Sequence, residues 1–472
     1  MNQTLSYLQF LPTSTEVFNI GIQLCNYYNS IYFRTFQQVL KSKEPEVGNK
    51  SKLVEDIEAF YNAWLKIMDK EFDKELKSMS FTSLLSKYID SIVDLHSLYK
   101  RTGFPMDYLD WLFSSYIQKI MSSVTLSTLK ESELSSHDII CLKGKTRLLH
   151  YHDIDEKEGE QEKSSKPLLI IYAPINRFHI MDLNPKRSVV RNLLSNGLDV
   201  YLLDLGYPTK EDDKLSLNDY VDYIKDAVQT ILKKVKEGER QGQGKKNKKI
   251  SILGYCWGGI LALIYTALEA ANTIQNHDDD KTVKSLTLMA TPVDFSKENT
   301  ILANWSRAVD IDKMIHEFGN MNGQILDLAF AMRNPPRYIF DKYFKLFKKL
   351  DDKEFVNTFI DVERWLYDTP PVPGNLHSQI INNCYKDNLL IANKMKINNN
   401  SIDLRNITVP LLMIDAEKDD LITTESALAV SDYVSSNEKD FLKSPGGHVA
   451  LCISDSAHEK LWPKAAKWIL SK

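Results

Sequence analysis

One segment, ISILGYCWGGILALIYTAL from Ile250 to Leu268, constrains the fold more than any other part of the chain. Ile250 to Leu253 reads as a short buried strand, and Ile260 to Leu268 as an apolar helix. Between them Gly254-Tyr255-Cys256-Trp257-Gly258, followed by Gly259, leaves room only for a tight turn. The pattern is G-x-nucleophile-x-G, with cysteine at the centre. A side chain presented on so sharp a turn needs neighbours without Cβ atoms two positions to either side, hence Gly254 and Gly258. The helix that follows aims its free N–H groups and positive dipole end at the turn, and the Trp257 N–H becomes an oxyanion donor. Five residues of this kind recur by chance, and a buried cysteine in a glycine-rich turn is the plainer alternative. The apolar strand directly before and the apolar helix directly after favour the nucleophile.

The surrounding chain supplies the rest of such a fold. From about residue 138 short apolar runs alternate with amphipathic segments. DIICLKGKTRLLH (138–150) reads as strand-turn-strand. LLIIYA (168–173), LDVYLLD (198–204), the run from Ile250 and the run Ser285–Met289 read as further strands. Helices are expected over Arg187–Ser195 and over Leu217–Lys236, the latter with Ser216 as its cap. This alternation predicts a doubly wound, mostly parallel α/β sheet. Residues 293–406 break it with a helix-rich, aromatic, proline-punctuated insertion, the expected place for a cap over the carboxyl edge of the sheet. Strand character returns at Val409–Ile414, and His458–Leu470 closes the chain as a helix. The catalytic core is therefore expected over 136–292 and 407–472.

Residues 1–135 read as a helical extension. Leu53–Lys77 places Ile57, Phe60, Tyr61, Trp64, Leu65, Met68 and Phe72 on one face. A second helix covers SLLSKYIDSIVDLHSLYKRTG up to Gly103, and a third Met106–Val124. Helix–helix packing accounts for these stripes.

Composition narrows the function classes. A net charge of -4 over 472 residues lacks the basic excess of a nucleic-acid binder, and the basic run near 237–249 reads as a solvated loop. The five cysteines, Cys25, Cys141, Cys256, Cys384 and Cys452, form no CxxC pair or Cys/His cluster, so no metal is expected. Their odd number, and an opening segment without signal-peptide pattern, predict a reducing, cytoplasmic setting.

Downstream of Cys256 the order acid-then-histidine completes a triad of the α/β-hydrolase type. The run Val409–Ile414 leads into Asp415-Ala416-Glu417-Lys418-Asp419-Asp420, and Pro445-Gly446-Gly447-His448 precedes the final helix. His448 is placed to take the Cys256 proton while an acid orients its ring. On spacing alone Asp415, Asp419 and Asp420 are equivalent candidates, and His458 is the alternative base. A second oxyanion donor is expected from the Pro174–Arg177 loop, at the backbone of Ile175 or Asn176.

With these residues in place, the chain resembles the catalytic subunit of the two-component (class III and IV) polyhydroxyalkanoate synthases over roughly 138–470. The segments that carry the likeness fall in order: LLIIYAPINRFHIMDLNPKRSVVRNLLSNGLDVYLLDLGYP, GYCWGG, ANWSRAVDIDKMIHEFGNMNGQILDLAF, VERWLYDTP, ITVPLLMIDAEKDDLI and GGHVAL. The resemblance implies Cys256 as nucleophile, Asp419 as acid and His448 as base. It implies polymerisation of a short-chain 3-hydroxyacyl-CoA through a Cys256 acyl thioester with release of CoA, without metal or redox cofactor. The implied partners are the growing polyester chain, a second copy of the chain, a helical activator subunit and the polyester granule surface. One departure stands out: the family has Asp-His at the acid loop where this chain has Asp419-Asp420. The helical stretch from Phe60 to Leu112 resembles the family's partner subunit, so residues 1–135 are either a built-in equivalent of it or a packing and docking extension. Two rival readings are a dienelactone-hydrolase-like or thioesterase enzyme, and a non-catalytic granule protein. The long insertion disfavours the first, and the presence of Cys256, Asp419 and His448 the second.

Overall fold

The computed structural model describes residues 73–102, 134–152, 166–240, 249–275, 282–334 and 336–472, together with positions 23 and 70. The predicted helix over Leu53–Lys77 lies largely outside these residues, and that over Met106–Val124 wholly outside them. The described chain forms two compact units, one of which holds helix α1 (Met79–Thr102) with segments 301–318 and 325–357.

The larger unit is built on an eight-stranded sheet. Its strands are β1 (His137–Lys143), β2 (Thr146–Tyr151), β3 (Lys166–Ile171), β4 (Leu198–Asp204), β5 (Ile250–Tyr255), β6 (Val283–Met289), β7 (Leu411–Ala416) and β8 (Lys439–Ser444). They lie in the order β1-β2-β4-β3-β5-β6-β7-β8. Pairing is antiparallel for β1–β2 and β2–β4, and parallel from β4 onward. The central strands are apolar on both faces: every residue of β5 and β7 is buried, as expected of strands covered on both sides. Helices α2 (Val189–Ser195) and α3 (Leu217–Arg240) cover the sheet, with α4 (Trp257–Gln275) packed on α3. The expected alternation is thus present, and the fold is a doubly wound α/β sheet.

Differences from expectation have local causes. Helix α2 starts at Val189, because Arg187 and Ser188 pair with the 182–184 strand and the Ser188 hydroxyl caps the Arg191 amide at 2.9 Å. Ser216 directly precedes α3, its hydroxyl and amide both donating to the Asp219 carboxylate of the first turn. Strand β7 begins two residues later than predicted and runs to Ala416, since Asp415 and Ala416 pair with Lys443 and Ser444 of β8. The terminal helix opens as a wide turn over Ala457–Leu461 before α-geometry sets in at Trp462.

The smaller unit is helical. Helix α1 packs on α5 (Ile301–Ala308) and α6 (Ile311–Phe318). Leu76, Phe81, Ile301 and Trp305 form its buried cluster, with Trp305 Nε1 donating to the Leu76 carbonyl at 3.0 Å. Lys313 pairs with Asp94 of α1 at 2.9 Å. Among the described residues no helix is long and apolar enough to cross a membrane.

Candidate active site

Strand β5 ends at Tyr255 and α4 begins at Trp257, so Cys256 alone makes the turn. Its φ of 53° lies in the left-handed region, which costs a residue with a Cβ about 1–3 kcal/mol. The turn is held from both sides. Cys256 N–H donates to the Met289 carbonyl and its own carbonyl accepts from Gly259, both at 2.9 Å. The flanking glycines are required by close approach. A Cβ on Gly258 would sit 2.3 Å from the Ile171 carbonyl oxygen, and one on Gly254 would sit 2.5 Å from the Gly259 Cα.

Because β3 and β5 are parallel neighbours with Ile171 opposite Gly254, the loop after β3 emerges beside the Cys256 turn. That loop contains Ile175 and Asn176, the latter at φ 58°. Its shape is fixed from the 361–369 segment. Asn176 Nδ2 donates to Thr369 Oγ1 at 2.6 Å, Arg177 pairs with Asp368 at 3.0 Å, and Trp365 Nε1 donates to the Arg177 carbonyl at 2.6 Å. The predicted donor residues Trp257, Ile175 and Asn176 therefore share one edge of the sheet with Cys256. The Trp257 indole, 5 % exposed, donates to the Tyr385 hydroxyl at 3.1 Å.

His448 sits on the turn after β8, and Asp419 on the loop after β7. His448 Nδ1 lies 2.7 Å from Asp419 Oδ2. The other oxygen, Oδ1, accepts the amides of Leu421 at 2.9 Å and Ile422 at 3.0 Å, so the carboxylate cannot rotate away. The two loops are tied by Lys418 N–H donating to the Gly446 carbonyl at 2.8 Å. The Tyr255 ring stacks on His448 at 4.9 Å between centroids, and its hydroxyl donates to the His448 carbonyl at 3.3 Å. Cys256 is the other electrostatic neighbour of His448. Burial alone lowers the imidazole, but Asp419 and then Cys256 outweigh it and hold His448 well above its ordinary value.

The structure separates the candidate acids. Asp415 is fully buried within β7 and accepts the Thr424 hydroxyl, away from the imidazole. Burial pushes it up, opposed by that hydrogen bond and assisted by the charge of Asp419. Asp419 is the acid brought to His448. His458 is committed elsewhere: its Nε2 donates to the Cys452 carbonyl at 2.7 Å. Sequence reasoning missed Tyr255, Tyr385 and Glu298, all buried beside the triad. Tyr255 lies inside the glycine-flanked motif and was readable in principle; Tyr385 and Glu298 carry no local signal. Among the described residues no cluster of three or more His, Cys, Asp or Glu side chains could hold a metal ion.

Residues 167–453 match the family described as alpha/beta hydrolase fold. The poly(3-hydroxyalkanoate) polymerase subunit PhaC of Allochromatium vinosum is 34% identical over 316 residues, 67% of this chain and 83% of that protein. The chain belongs to this polymerase family. The PhaC subunit of Synechocystis sp. is 36% identical over 64% of this chain and 77% of its own length. That of Haloferax mediterranei is 33% identical over 71% of this chain, and the match spans 64% of the haloarchaeal subunit. The Haloarcula marismortui subunit is likewise spanned over 66% of its length.

Proposed function

We propose that the chain is an acyltransferase that polymerises a short-chain 3-hydroxyacyl-CoA, such as 3-hydroxybutyryl-CoA, into polyester with release of CoA. The observation that carries this reading is His448 bound to Asp419 at 2.7 Å, with Cys256 as its other electrostatic neighbour, in a chain of this family. In the first half-reaction His448 takes the Cys256 proton and the sulfur attacks the thioester carbonyl. The carbonyl oxygen, now negative, is met by the N–H groups of Trp257 and of Ile175 or Asn176. Collapse expels the CoA sulfur, which leaves with the proton from His448. One thioester replaces another, so the exchange is nearly isoenergetic and suits a thiol. In the second half-reaction His448 removes the proton of a 3-hydroxyl, from an incoming unit or a chain end. The alkoxide attacks the acyl-Cys256 carbonyl, the new ester bond forms, and the Cys256 sulfur leaves with the proton.

Exclusion of water decides between polymer and hydrolysis. The 293–406 insertion is the proposed cap, and the clamps from Thr369 and Asp368 onto Asn176 and Arg177 support that part of it. We read residues 136–292 and 407–472 as the catalytic core, and 1–135 as a built-in activator or a docking extension. The expected partners are a second copy of the chain, a helical activator subunit and the polyester granule surface, in a cytoplasmic setting. The chemistry so written draws on no metal or redox cofactor, with the CoA thioester as substrate.

Incubation with 3-hydroxybutyryl-CoA tests the reading. Insoluble polyester plus free CoA is the expected result; free 3-hydroxybutyrate with no polymer refutes it in favour of a hydrolase. Cys256→Ala should lower CoA release by at least about 10³-fold, and an unchanged rate would remove the nucleophile assignment.

A further inference from the structure

Glu298 is 1 % exposed and follows the short turn Phe295–Lys297 near the start of the insertion. Its Oε1 accepts the Thr423 amide at 2.7 Å, and the Thr423 hydroxyl returns the contact by donating to the Lys297 carbonyl at 3.0 Å. Three successive amides of one turn are thus taken by two carboxylates: Leu421 and Ile422 by Asp419, and Thr423 by Glu298. The turn cannot shift at its third amide without moving the first two, and those two set the direction in which Asp419 presents its free oxygen to His448.

We propose that Glu298 is a positioning residue for acyl transfer, gripping the Thr423 amide so that the neighbouring amides hold Asp419 against His448. This rests on the catalytic reading of Cys256, Asp419 and His448 given above. A surface loop tied only by its own turns would let the acid wander by fractions of an ångström, enough to weaken a positioned hydrogen bond. A buried carboxyl on a separate segment removes that freedom.

The groups around Glu298 give the proposal a second signature. From the β7 loop it faces Asp419, with Asp415 behind the Thr424 hydroxyl. Tyr385 lies on the 381–386 segment, and Lys297 and Asp294 stand on its own segment, paired at 3.7 Å. His448 and Cys256 are reached through Asp419. Burial pushes Glu298 up to about 7, against the Thr423 and Ser426 hydrogen bonds and with the charge of Asp419 adding to the rise. Around neutral pH a charge is therefore expected to appear or vanish close to the proposed triad acid, and the rate of the wild-type enzyme should carry an inflection there.

The test is steady-state CoA release by the full chain from pH 6 to 9 for wild type, Glu298→Ala, Glu298→Gln and Cys256→Ala. Glu298→Ala is expected to lose about 10- to 100-fold in kcat with KM within about two-fold, as for a misplaced catalytic group. Glu298→Gln keeps an oxygen for the Thr423 amide but not the charge; at pH 8 it should recover kcat to the level that wild type shows below the inflection, well above Glu298→Ala, and lack the inflection near pH 7. A kcat in Glu298→Ala equal to wild type, or an inflection that persists in Glu298→Gln, overturns the proposal. The glutamine variant decides alone if the alanine variant does not fold. Activity surviving in Cys256→Ala overturns the catalytic reading itself. Activity lost there but unchanged in both Glu298 variants removes only the role of Glu298.

Discussion

Replacing His179 with phenylalanine should make the enzyme more resistant to acid, by an amount that the structure lets one work out. His179 is 1 % exposed, stacked on Phe178 at 4.4 Å, and neither ring nitrogen has a hydrogen-bond partner. Burial, with Arg177, Arg147 and His137 adding, pushes it down to about 3. An unfolded chain leaves the same imidazole near its ordinary ~6.5. The folded state therefore refuses a proton that the unfolded state accepts. The stability lent by this neutral histidine is complete above ~6.5 and is lost as pH falls towards ~3. At pH 5 the loss is 1.36 kcal/mol per unit over about 1.5 units, about 2 kcal/mol; at pH 7.5 it is under about 0.1 kcal/mol. His377, pushed by burial to about 4, contributes in the same direction. Glu298, raised to about 7, works the other way, since its folded form gains a proton that the unfolded form lacks between ~4.5 and ~7. Both are common to wild type and variant and cancel in the difference. His179→Phe also removes two unpaired buried nitrogens, worth about 1 kcal/mol at any pH. Urea unfolding of the sheet-bearing unit, followed by far-ultraviolet circular dichroism, should show the variant ahead by about 1 kcal/mol at pH 7.5 and about 3 kcal/mol at pH 5. An advantage that is the same at both pH values would refute the account of a histidine held neutral by burial.

Two further substitutions probe the triad and its turn. Asp419→Asn leaves the fold intact but deprives His448 of its orienting carboxylate, and CoA release should fall about 10³- to 10⁴-fold; Asp415→Asn, whose carboxyl already sits buried against Thr424, should keep at least about a tenth of the rate. Equal losses would mean that the acid has been assigned to the wrong position. Gly258→Ala drives a methyl group to 2.3 Å from the Ile171 carbonyl oxygen, a backbone atom at the end of central strand β3. Soluble yield should collapse, or the melting temperature drop by an amount equivalent to about 3 kcal/mol; a variant as stable as wild type would show that the turn has slack.

The central strands were legible because burial on both faces leaves a continuous apolar run, as in LLIIYA and LDVYLLD. Strand β8 was not. KDFLKS at 439–444 has five of its six residues at least partly exposed, and a charged edge strand carries no periodic signal. Boundaries slipped where pairing outvoted composition. Strand β5 continues through Gly254 and Tyr255 because Leu288 and Met289 of β6 pair with them. Second helix α1 was expected from Ser83 and begins at Met79, where the Ser78 hydroxyl caps the Phe81 amide at 3.2 Å. The Cys256 turn was the most legible feature of all, since its glycines are dictated by close approach of backbone to the turn. The supports of the oxyanion loop were out of reach of sequence, because Thr369 and Asp368 lie about 190 residues further along the chain.

The acid loop shows why spacing alone could not choose among Asp415, Asp419 and Asp420. All three follow one strand within six residues, and any of them fits a rule that asks only for an acid there. The choice is made by which neighbours each carboxyl can satisfy. Asp415, still in β7, points to Thr424 and is driven towards neutrality by burial. Asp419 meets two amides with one oxygen and His448 with the other, so its negative charge is compensated on both sides. On the proposed mechanism an anion so anchored stabilises the imidazolium formed when His448 accepts a proton, and Asp419 is the largest of the contributions that hold His448 above its ordinary value. The second acid, Glu298, arrives from a different segment and closes the same turn. On the proposed reading, catalysis at Cys256 draws on three loops at once, and loss of the amide held by Glu298 should be felt in kcat before it is felt in the fold.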